Sequence, residues 1–176
     1  MKKVIVFYFH GYSSSPTTDK VARFKEHFPD TYAFPIDINP EISLPFLEDK
    51  IENTLLTYGN DCNTVVVFVG TSLGAWYAGE LANVYPSAHC IMINPPEDPF
   101  YSLQTIGVDP VTAGYYIPTN LGIADKIFLA THDELFHYDE EKEMWDMMPA
   151  VTWADAGHRF NGPEFDLVIE YIKSLQ

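Results

Sequence analysis

The sequence predicts an α/β protein with a mostly parallel sheet of about six strands and helices on both faces. The chain has 176 residues, a length typical of one domain with a substantial core. Apolar runs such as TVVVFVG (64–70) have no polar face, as expected of strands buried on both sides. Helical patterns alternate with these runs, and that order indicates βα repeats with right-handed crossovers.

The strands are assigned where β-branched and aromatic residues cluster between turn residues. We expect them at 3–9, 32–38, 64–70, 88–94, 126–132 and 150–155. Pro35 weakens the second of these, because proline cannot donate the backbone hydrogen bond that a central strand requires. That strand is therefore expected at an edge of the sheet.

The helices are assigned where apolar residues recur with the helical period. We expect them at 21–28, 44–59, 73–85, 139–148 and 163–175. Residues 95–125 are rich in Pro, Tyr and Gly and are expected to be irregular, with about 97–125 forming a short cap-like insertion. The whole of 1–176 is interpreted as one domain carrying that insertion.

The composition indicates which classes of partner are excluded and in which cellular compartment the protein is expected. Lys and Arg total 10 against 25 Asp and Glu, for a formal charge of −15. Nucleic acids and anionic membranes require a basic surface, so neither is expected as a partner. No apolar stretch approaches the roughly 20 residues of a membrane span. Cys62 and Cys90 suggest neither a disulfide framework nor a zinc site, so a cytoplasmic protein with reduced thiols is predicted.

Polar residues at the strand ends are the candidates for function, because ligands of such sheets bind beyond the carboxyl ends of the strands. His10 follows the first strand, and Ser72 follows the third. Asp133 follows the fifth strand and His158 the last. Serine, aspartate and histidine therefore occur in this chain order, each near a strand end.

Ser72 lies in the sequence Gly70-Thr71-Ser72-Leu73-Gly74, between a strand and a helix. This G-x-S-x-G pattern is typical of a nucleophile elbow, in which a tight turn raises the serine hydroxyl above the sheet. The two glycines are expected because a side chain there would collide with the crossing strand and helix. The alternative is an ordinary βα turn with a serine helix cap.

His158, in a loop between the last strand and the last helix, is the candidate general base. Asp133 is the candidate that orients the imidazole and stabilises its cationic form. Glu134 and Asp155 remain alternatives for that carboxylate. His132 and His137 have a spacing that allows metal binding, but no third ligand set accompanies them, and no metal or other cofactor is expected.

An oxyanion hole needs two backbone donors. The N–H of Leu73, directly after the candidate nucleophile, is one candidate. The N–H of Tyr12, in the loop after the first strand, is the other. Tyr12 is alternatively only a packing aromatic residue.

The segments YFHGYSSSP, FVGTSLGAWYA, INPPEDP, THDE and AGHRF together resemble the YqiA-like small bacterial esterases of the α/β-hydrolase superfamily. The resemblance extends over nearly the whole chain. It implies a reduced α/β-hydrolase fold and a serine hydrolase with Ser72 as nucleophile, Asp133 as acid and His158 as base. One departure is the acidic stretch Pro96-Glu97-Asp98, which places carboxylates near the expected pocket and leaves the substrate preference open.

The predicted function is hydrolysis of carboxylic esters or thioesters of small acyl groups through an acyl-enzyme on Ser72. The expected partner is therefore a small-molecule ester or thioester. A non-catalytic binding module on the same scaffold is the alternative, because a fold does not fix a function. A peptidase or a lipid hydrolase is a third interpretation, although the short insertion argues against a lipase.

Overall fold

The computed structural model describes residues 2–59 and 63–176. The strands are β1 (Lys3–Phe9), β2 (Thr31–Ala33), β3 (Thr64–Thr71), β4 (His89–Ile93), β5 (Lys126–His132) and β6 (Val151–Gly157). The helices are α1 (Asp19–His27), α2 (Pro40–Tyr58), α3 (Leu73–Val84), α4 (Pro99–Thr105), α5 (Pro110–Ala113), α6 (Lys142–Asp146) and α7 (Asp166–Ser174). Short 3₁₀ turns precede α6 and α7.

The strands form one sheet in the order β2-β1-β3-β4-β5-β6. Every pairing in this sheet is parallel. The α/β fold class and the parallel sheet predicted from the sequence are confirmed. The strand ends that carry the candidate residues therefore lie along the same edge of the sheet.

Alternate residues of each strand face two separate layers of core. Phe7 and Phe9 of β1 pack with Leu47 of α2 and Trp76 of α3. On the opposite face, the other set of β1 side chains packs with α1 and α7, which contribute Phe24 and other apolar residues. Because both faces are covered, the central strands need no polar face, which explains their continuous apolar sequence.

β2 lies at the edge of the sheet, as predicted. It is shorter than expected and ends at Ala33, two residues before Pro35. Helix α2 begins earlier than expected, at Pro40. The Asn39 side chain accepts a hydrogen bond from the Glu41 N–H at 2.9 Å, and proline is well suited to the first turn that follows such a cap.

The segment 95–125 is not wholly irregular, which corrects the expectation from sequence. It contains α4, α5 and a 3₁₀ turn at Leu121–Ile123. Asp98 and Asp109 cap the two helices by accepting backbone hydrogen bonds. Each cap is followed by a proline at the first helical position, a start signal that the high proline content of the segment concealed.

In the described part of the chain, no helix combines the length and the apolar character required to cross a membrane. Cys90 is a free, buried cysteine, and burial raises the pKa of its thiol to about 12. Cys62, the other cysteine named in the sequence, lies outside the described residues.

Candidate active site

Ser72 stands at the junction between β3 and α3. Its φ of 54° and ψ of −128° place it outside the regions that L-residues ordinarily occupy. The Ser72 N–H donates a hydrogen bond to the Ile93 carbonyl at 2.9 Å, which ties this turn to the end of β4. The strained conformation at the corner is the local feature that the G-x-S-x-G sequence predicts.

Gly70 and Gly74 are required at this corner by the close approach of the backbone. A Cβ at Gly70 would lie 2.1 Å from the Gly74 carbonyl oxygen. A Cβ at Gly74 would lie 2.0 Å from the carbonyl oxygen of Phe9 in β1. Any larger residue at either position must therefore move backbone rather than a flexible side chain.

The loop after β1 packs directly against Ser72. A Cβ at Gly11 would lie 3.2 Å from both the Ser72 Cβ and the Thr71 carbonyl oxygen. Tyr12, the next residue, borders the same two cavities as Ser72. Its side chain is 43% exposed, so it is not a core packing residue. Leu73 occupies the first position of α3, where backbone N–H groups lack acceptors within the helix.

Asp133 and His158 are brought together from the ends of β5 and β6. The His158 Nδ1 lies 2.8 Å from Asp133 Oδ2, and the Asp133 side chain is fully buried. Asp133 Oδ1 accepts hydrogen bonds of 2.9 Å from the backbone N–H groups of Leu135 and Phe136. The carboxylate is therefore held by its own turn and directed at the imidazole.

Phe136 also contacts the imidazole itself. Its ring lies edge-on to the His158 ring, with centroids 4.8 Å apart. The imidazole is consequently fixed on one side by a carboxylate and on another by an aromatic ring, which limits its rotation.

Glu134, one of the sequence alternatives for the acid, contacts the backbone of His158 rather than its ring. Its Oε2 accepts a hydrogen bond of 2.9 Å from the His158 N–H, which lowers the pKa of the Glu134 carboxyl. A Cβ at Gly157 would lie 3.1 Å from the same oxygen, so this approach favours glycine there. Asp155, the other alternative, pairs with His132 at 3.2 Å on the exposed surface.

Asn94 binds the backbone carbonyl of His158. Its Nδ2 donates a 2.9 Å hydrogen bond to the His158 carbonyl, and its Oδ1 accepts one of 2.8 Å from the Ala130 N–H. Asn94 is fully buried and has a left-handed φ of 46°, a conformation that asparagine tolerates better than most residues. His158 is thus held at its N–H, its carbonyl and its ring.

Two cavities of different character flank Ser72. One, of about 160 Å³, is lined mainly by apolar side chains, including Leu103 and Ile106 from the segment at α4 and Phe136. The other is a more polar groove of about 500 Å³ that also reaches His158. Both cavities are lined by Ser72, and they share Tyr12, Ile106 and Leu135, so a molecule bound at Ser72 can reach an apolar cavity and a more polar one.

The aromatic residues of the insertion do not form the apolar cavity. Tyr116 is buried against Trp76, with ring centroids 4.8 Å apart, and its hydroxyl donates to the Ile38 carbonyl. Phe100 makes an edge-to-face contact with the ring of the exposed Tyr101. None of these three rings lines the apolar cavity, whereas Pro99, at the start of α4, borders it.

The acidic stretch after β4 has separate roles. Pro96 borders the apolar cavity, and Asp98 caps α4. The pKa of the Glu97 carboxyl is raised, mainly by burial and to a smaller extent by the neighbouring Glu141. The Asp98 carboxylate is thus engaged by the fold, although the sequence placed it near a substrate.

The remaining histidines form no constellation with metal-binding geometry. Over 2–59 and 63–176, no group of three or more His, Cys, Asp or Glu side chains is arranged to hold a metal ion. His10 is buried, its Nδ1 contacts the Gly11 carbonyl at 3.0 Å, and burial lowers its pKa.

Sequence reasoning did not assign roles to Asn94 or to the backbone contact of Glu134. The predicted strand 88–94 included Asn94, whereas β4 ends at Ile93, so Asn94 was counted as part of the strand and not among the polar residues that follow it. The contact between Glu134 and the His158 N–H depends on the path of two loops and has no signal in the sequence.

Comparison with known proteins gives a family and a fold. The model of the uncharacterised protein family UPF0227 matches residues 5–120. A protein from Xanthomonas campestris, assigned to the hydrolases of the alpha/beta superfamily, superposes with a TM-score of 0.64 at 17% identity, covering 99% of each chain.

Two further solved structures have the same fold. The Pyrococcus furiosus esterase Pf2001 superposes with a TM-score of 0.63 at 16% identity, covering 99% of this chain and 79% of the esterase. Mouse alpha/beta hydrolase domain-containing protein 10 superposes with a TM-score of 0.62 at 15% identity, covering 97% and 88% of the two chains. At these identities the similarity establishes an α/β-hydrolase fold.

Proposed function

This chain belongs to the uncharacterised protein family UPF0227, and from that membership and its α/β-hydrolase fold we propose that it is a serine hydrolase of carboxylic esters or thioesters. The single observation that carries the proposal is the contact of 2.8 Å between His158 Nδ1 and the buried Asp133 carboxylate, in a groove that also contains Ser72. The esterase fold of the Pyrococcus furiosus protein is a supporting analogy.

In the proposed reaction, the Ser72 Oγ attacks the acyl carbonyl while the His158 Nε2 takes the hydroxyl proton. The bond from the acyl carbon to the leaving oxygen or sulfur then breaks, and the leaving group takes the proton from His158. Water next attacks the acyl-enzyme, again giving a proton to His158. The carboxylic acid leaves, and Ser72 regains its hydroxyl proton.

Asp133 supports this cycle by accepting the Nδ1–H of His158. That hydrogen bond leaves Nε2 as the proton acceptor and stabilises the imidazolium that forms in each step. The backbone N–H groups of Leu73 and Tyr12 are proposed to donate to the oxyanion of the tetrahedral intermediates. Gly11 supports the second assignment, because a Cβ there would lie 3.2 Å from the Ser72 Cβ, so this loop closely approaches the reacting serine.

The apolar cavity is proposed to hold the acyl group. Its volume of about 160 Å³ is below the roughly 300–1,000 Å³ of pockets that enclose drug-sized ligands. Short acyl chains are therefore the expected substrates, and longer chains must extend past the exposed Ile106 toward solvent.

The test is a panel of p-nitrophenyl esters from acetate to decanoate with purified protein. We expect kcat/KM to be highest for the short esters and to fall as the chain exceeds the apolar cavity. The variant Thr105→Trp adds bulk at an exposed residue that borders this cavity and should shift the preference toward acetate. Absence of turnover across the panel and across matching acyl thioesters would favour a binding module on this scaffold.

A further inference from the structure

The polar groove beside Ser72 contains two cations. Lys20, from the first turn of α1, and Arg159, the residue after His158, both border it. Ser72 and His158 border the same groove. Asp19 also borders it, so cations exceed carboxylates by one beside the proposed nucleophile, in a chain whose formal charge is −15.

Lys20 is a buried cation. The residue is 9% exposed, and its ammonium donates a hydrogen bond to the Arg159 carbonyl oxygen. Burial lowers the pKa of Lys20 to about 8, so the ammonium form still predominates at neutral pH. Its hydrogen-bond partner is a neutral carbonyl, which does not balance the charge.

Within the described part of the chain, neither Lys20 nor Arg159 forms an ion pair. The contrast with Arg23, one turn further along α1, is informative, because Arg23 pairs with Asp166 at 2.7 Å. Glu164, which also acts on Lys20 through its charge, accepts a hydrogen bond of 2.7 Å from the Gly162 N–H. Asp19, the residue before Lys20, also borders the groove and acts on Lys20 through its charge, but it forms no ion pair with either cation in the described residues. The groove lining therefore carries two cations and one carboxylate, in a sequence with 25 acidic residues.

We propose that this groove binds an anionic group, a carboxylate or a phosphate, carried by the leaving-group part of the substrate. The inference rests on the proposed function, with the acyl group in the apolar cavity that Ser72 also lines. The guanidinium of the exposed Arg159 offers paired N–H donors to such an oxyanion, and Lys20 adds a second positive charge. The anionic group does not react, because only the acyl bond breaks.

The location of the charges also predicts where the selectivity will appear. The net negative charge of the chain repels an anion at long range, and salt screens that repulsion. Arg159 is proposed to contact the anionic group directly, and this contact is the same in the ground state and in the transition state because the group does not react. Its contribution is therefore expected mainly in KM rather than in kcat.

The test uses four butyryl thioesters in two matched pairs. The carboxylate pair is made from 3-mercaptopropionate and its neutral amide, and the phosphate pair from 2-mercaptoethyl phosphate and 2-mercaptoethanol. The quantity measured is the ratio of kcat/KM for the anionic member to that for the neutral member of each pair. The two pairs distinguish a site for carboxylate from a site for phosphate.

We expect the wild-type ratio to exceed one in at least one pair and Arg159→Gln to lower it roughly threefold to tenfold, the range of about one charge-assisted contact. Arg159→Lys should retain part of the preference. Lys173→Gln, which removes an equal charge from the far end of α7, should leave the ratio unchanged. Arg159 is the position to test, because it is exposed, whereas a substitution of the buried Lys20 would also disturb α1.

An equal ratio in the wild type and in Arg159→Gln would overturn the inference, as would a wild-type ratio at or below one in both pairs. Calorimetric binding of the same thioesters to Ser72→Ala reports anion preference without turnover. If no thioester is hydrolysed but this variant still binds the anionic members more tightly through Arg159, the hydrolase proposal fails and the anion site stands. If the thioesters are hydrolysed with no contribution from Arg159, the anion site fails and the hydrolase proposal stands.

Discussion

Glu134 Oε2 accepts a 2.9 Å hydrogen bond from the backbone N–H of His158, while the preceding residue, Asp133, contacts the imidazole of the same histidine. Two adjacent carboxylates thus hold one residue at two different points. Their contributions to the proposed catalysis should differ, because only Asp133 contacts the ring that exchanges protons.

Asp133→Asn should lower kcat/KM far more than Glu134→Gln. Asparagine no longer stabilises the imidazolium or the required tautomer, for which a loss of about 10⁴-fold is typical in serine proteases. Glutamine at 134 still offers an oxygen to the His158 N–H, so a loss of only a few-fold is expected. The measurement is steady-state hydrolysis of a short p-nitrophenyl ester, and equal or reversed losses would contradict the separation of roles.

The contact between Glu134 and His158 should also depend on pH. The hydrogen bond from the His158 N–H lowers the pKa of the Glu134 carboxyl below 4.5, so this carboxylate stabilises the fold above the pKa of the unfolded chain. That contribution is lost as the pH falls through the lower, folded-state pKa. The difference in unfolding free energy between wild type and Glu134→Gln, measured by urea denaturation, should therefore shrink between about pH 5 and pH 3. A difference that stays constant or grows as the pH falls would show that the contact does not operate in solution.

Asn94→Ala should destabilise the protein by about 2–4 kcal/mol, because the Ala130 N–H and the His158 carbonyl both lose a partner. Asn94→Gly loses the same hydrogen bonds but adopts the left-handed φ of 46° more readily than alanine. We therefore expect the glycine variant to be more stable than the alanine variant by about 1 kcal/mol in urea denaturation. Alanine and glycine variants of equal stability would exclude backbone strain at this position.

Gly70→Ala should unfold the protein or cost more than about 3 kcal/mol, because the added Cβ would meet backbone atoms that cannot move aside. Gly122→Ala is the matched control, since its Cβ would meet only the Asn120 side chain, at 3.5 Å. Thermal unfolding of the two variants provides the comparison. If Gly70→Ala unfolds at the wild-type temperature, the tight elbow is not a constraint on this sequence.

Much of the fold was predictable because its main determinants are local. The apolar runs at β1 and β3 and the helical periodicity between them predicted the parallel sheet, and Pro35 correctly indicated an edge strand. The helices in 95–125 were missed because each is short and begins at a proline, which in isolation resembles loop sequence.

The site was less accessible to prediction because it depends on contacts between distant segments. The glycine pattern around Ser72 indicated a tight turn, and the structure has one there. Two hydrogen bonds hold the backbone of His158. Asn94 donates one to the His158 carbonyl, and Glu134 accepts the other from the His158 N–H. Both join residues that are far apart in sequence. The charge of the groove likewise arises only when Lys20 and Arg159, which lie 139 positions apart, are brought together by the fold.

Labelling by a fluorophosphonate probe, followed by peptide mapping, tests most directly whether Ser72 is an activated nucleophile. We expect covalent modification at Ser72, no labelling of Ser72→Ala, and a loss of roughly 10⁴–10⁶-fold in kcat for that variant with an unchanged circular dichroism spectrum. Ser174→Ala, at the exposed end of α7, is the control and should label and turn over as the wild type does. Modification of another residue, or a Ser72→Ala variant that keeps more than about a tenth of wild-type activity, would contradict the assignment of Ser72 as the nucleophile.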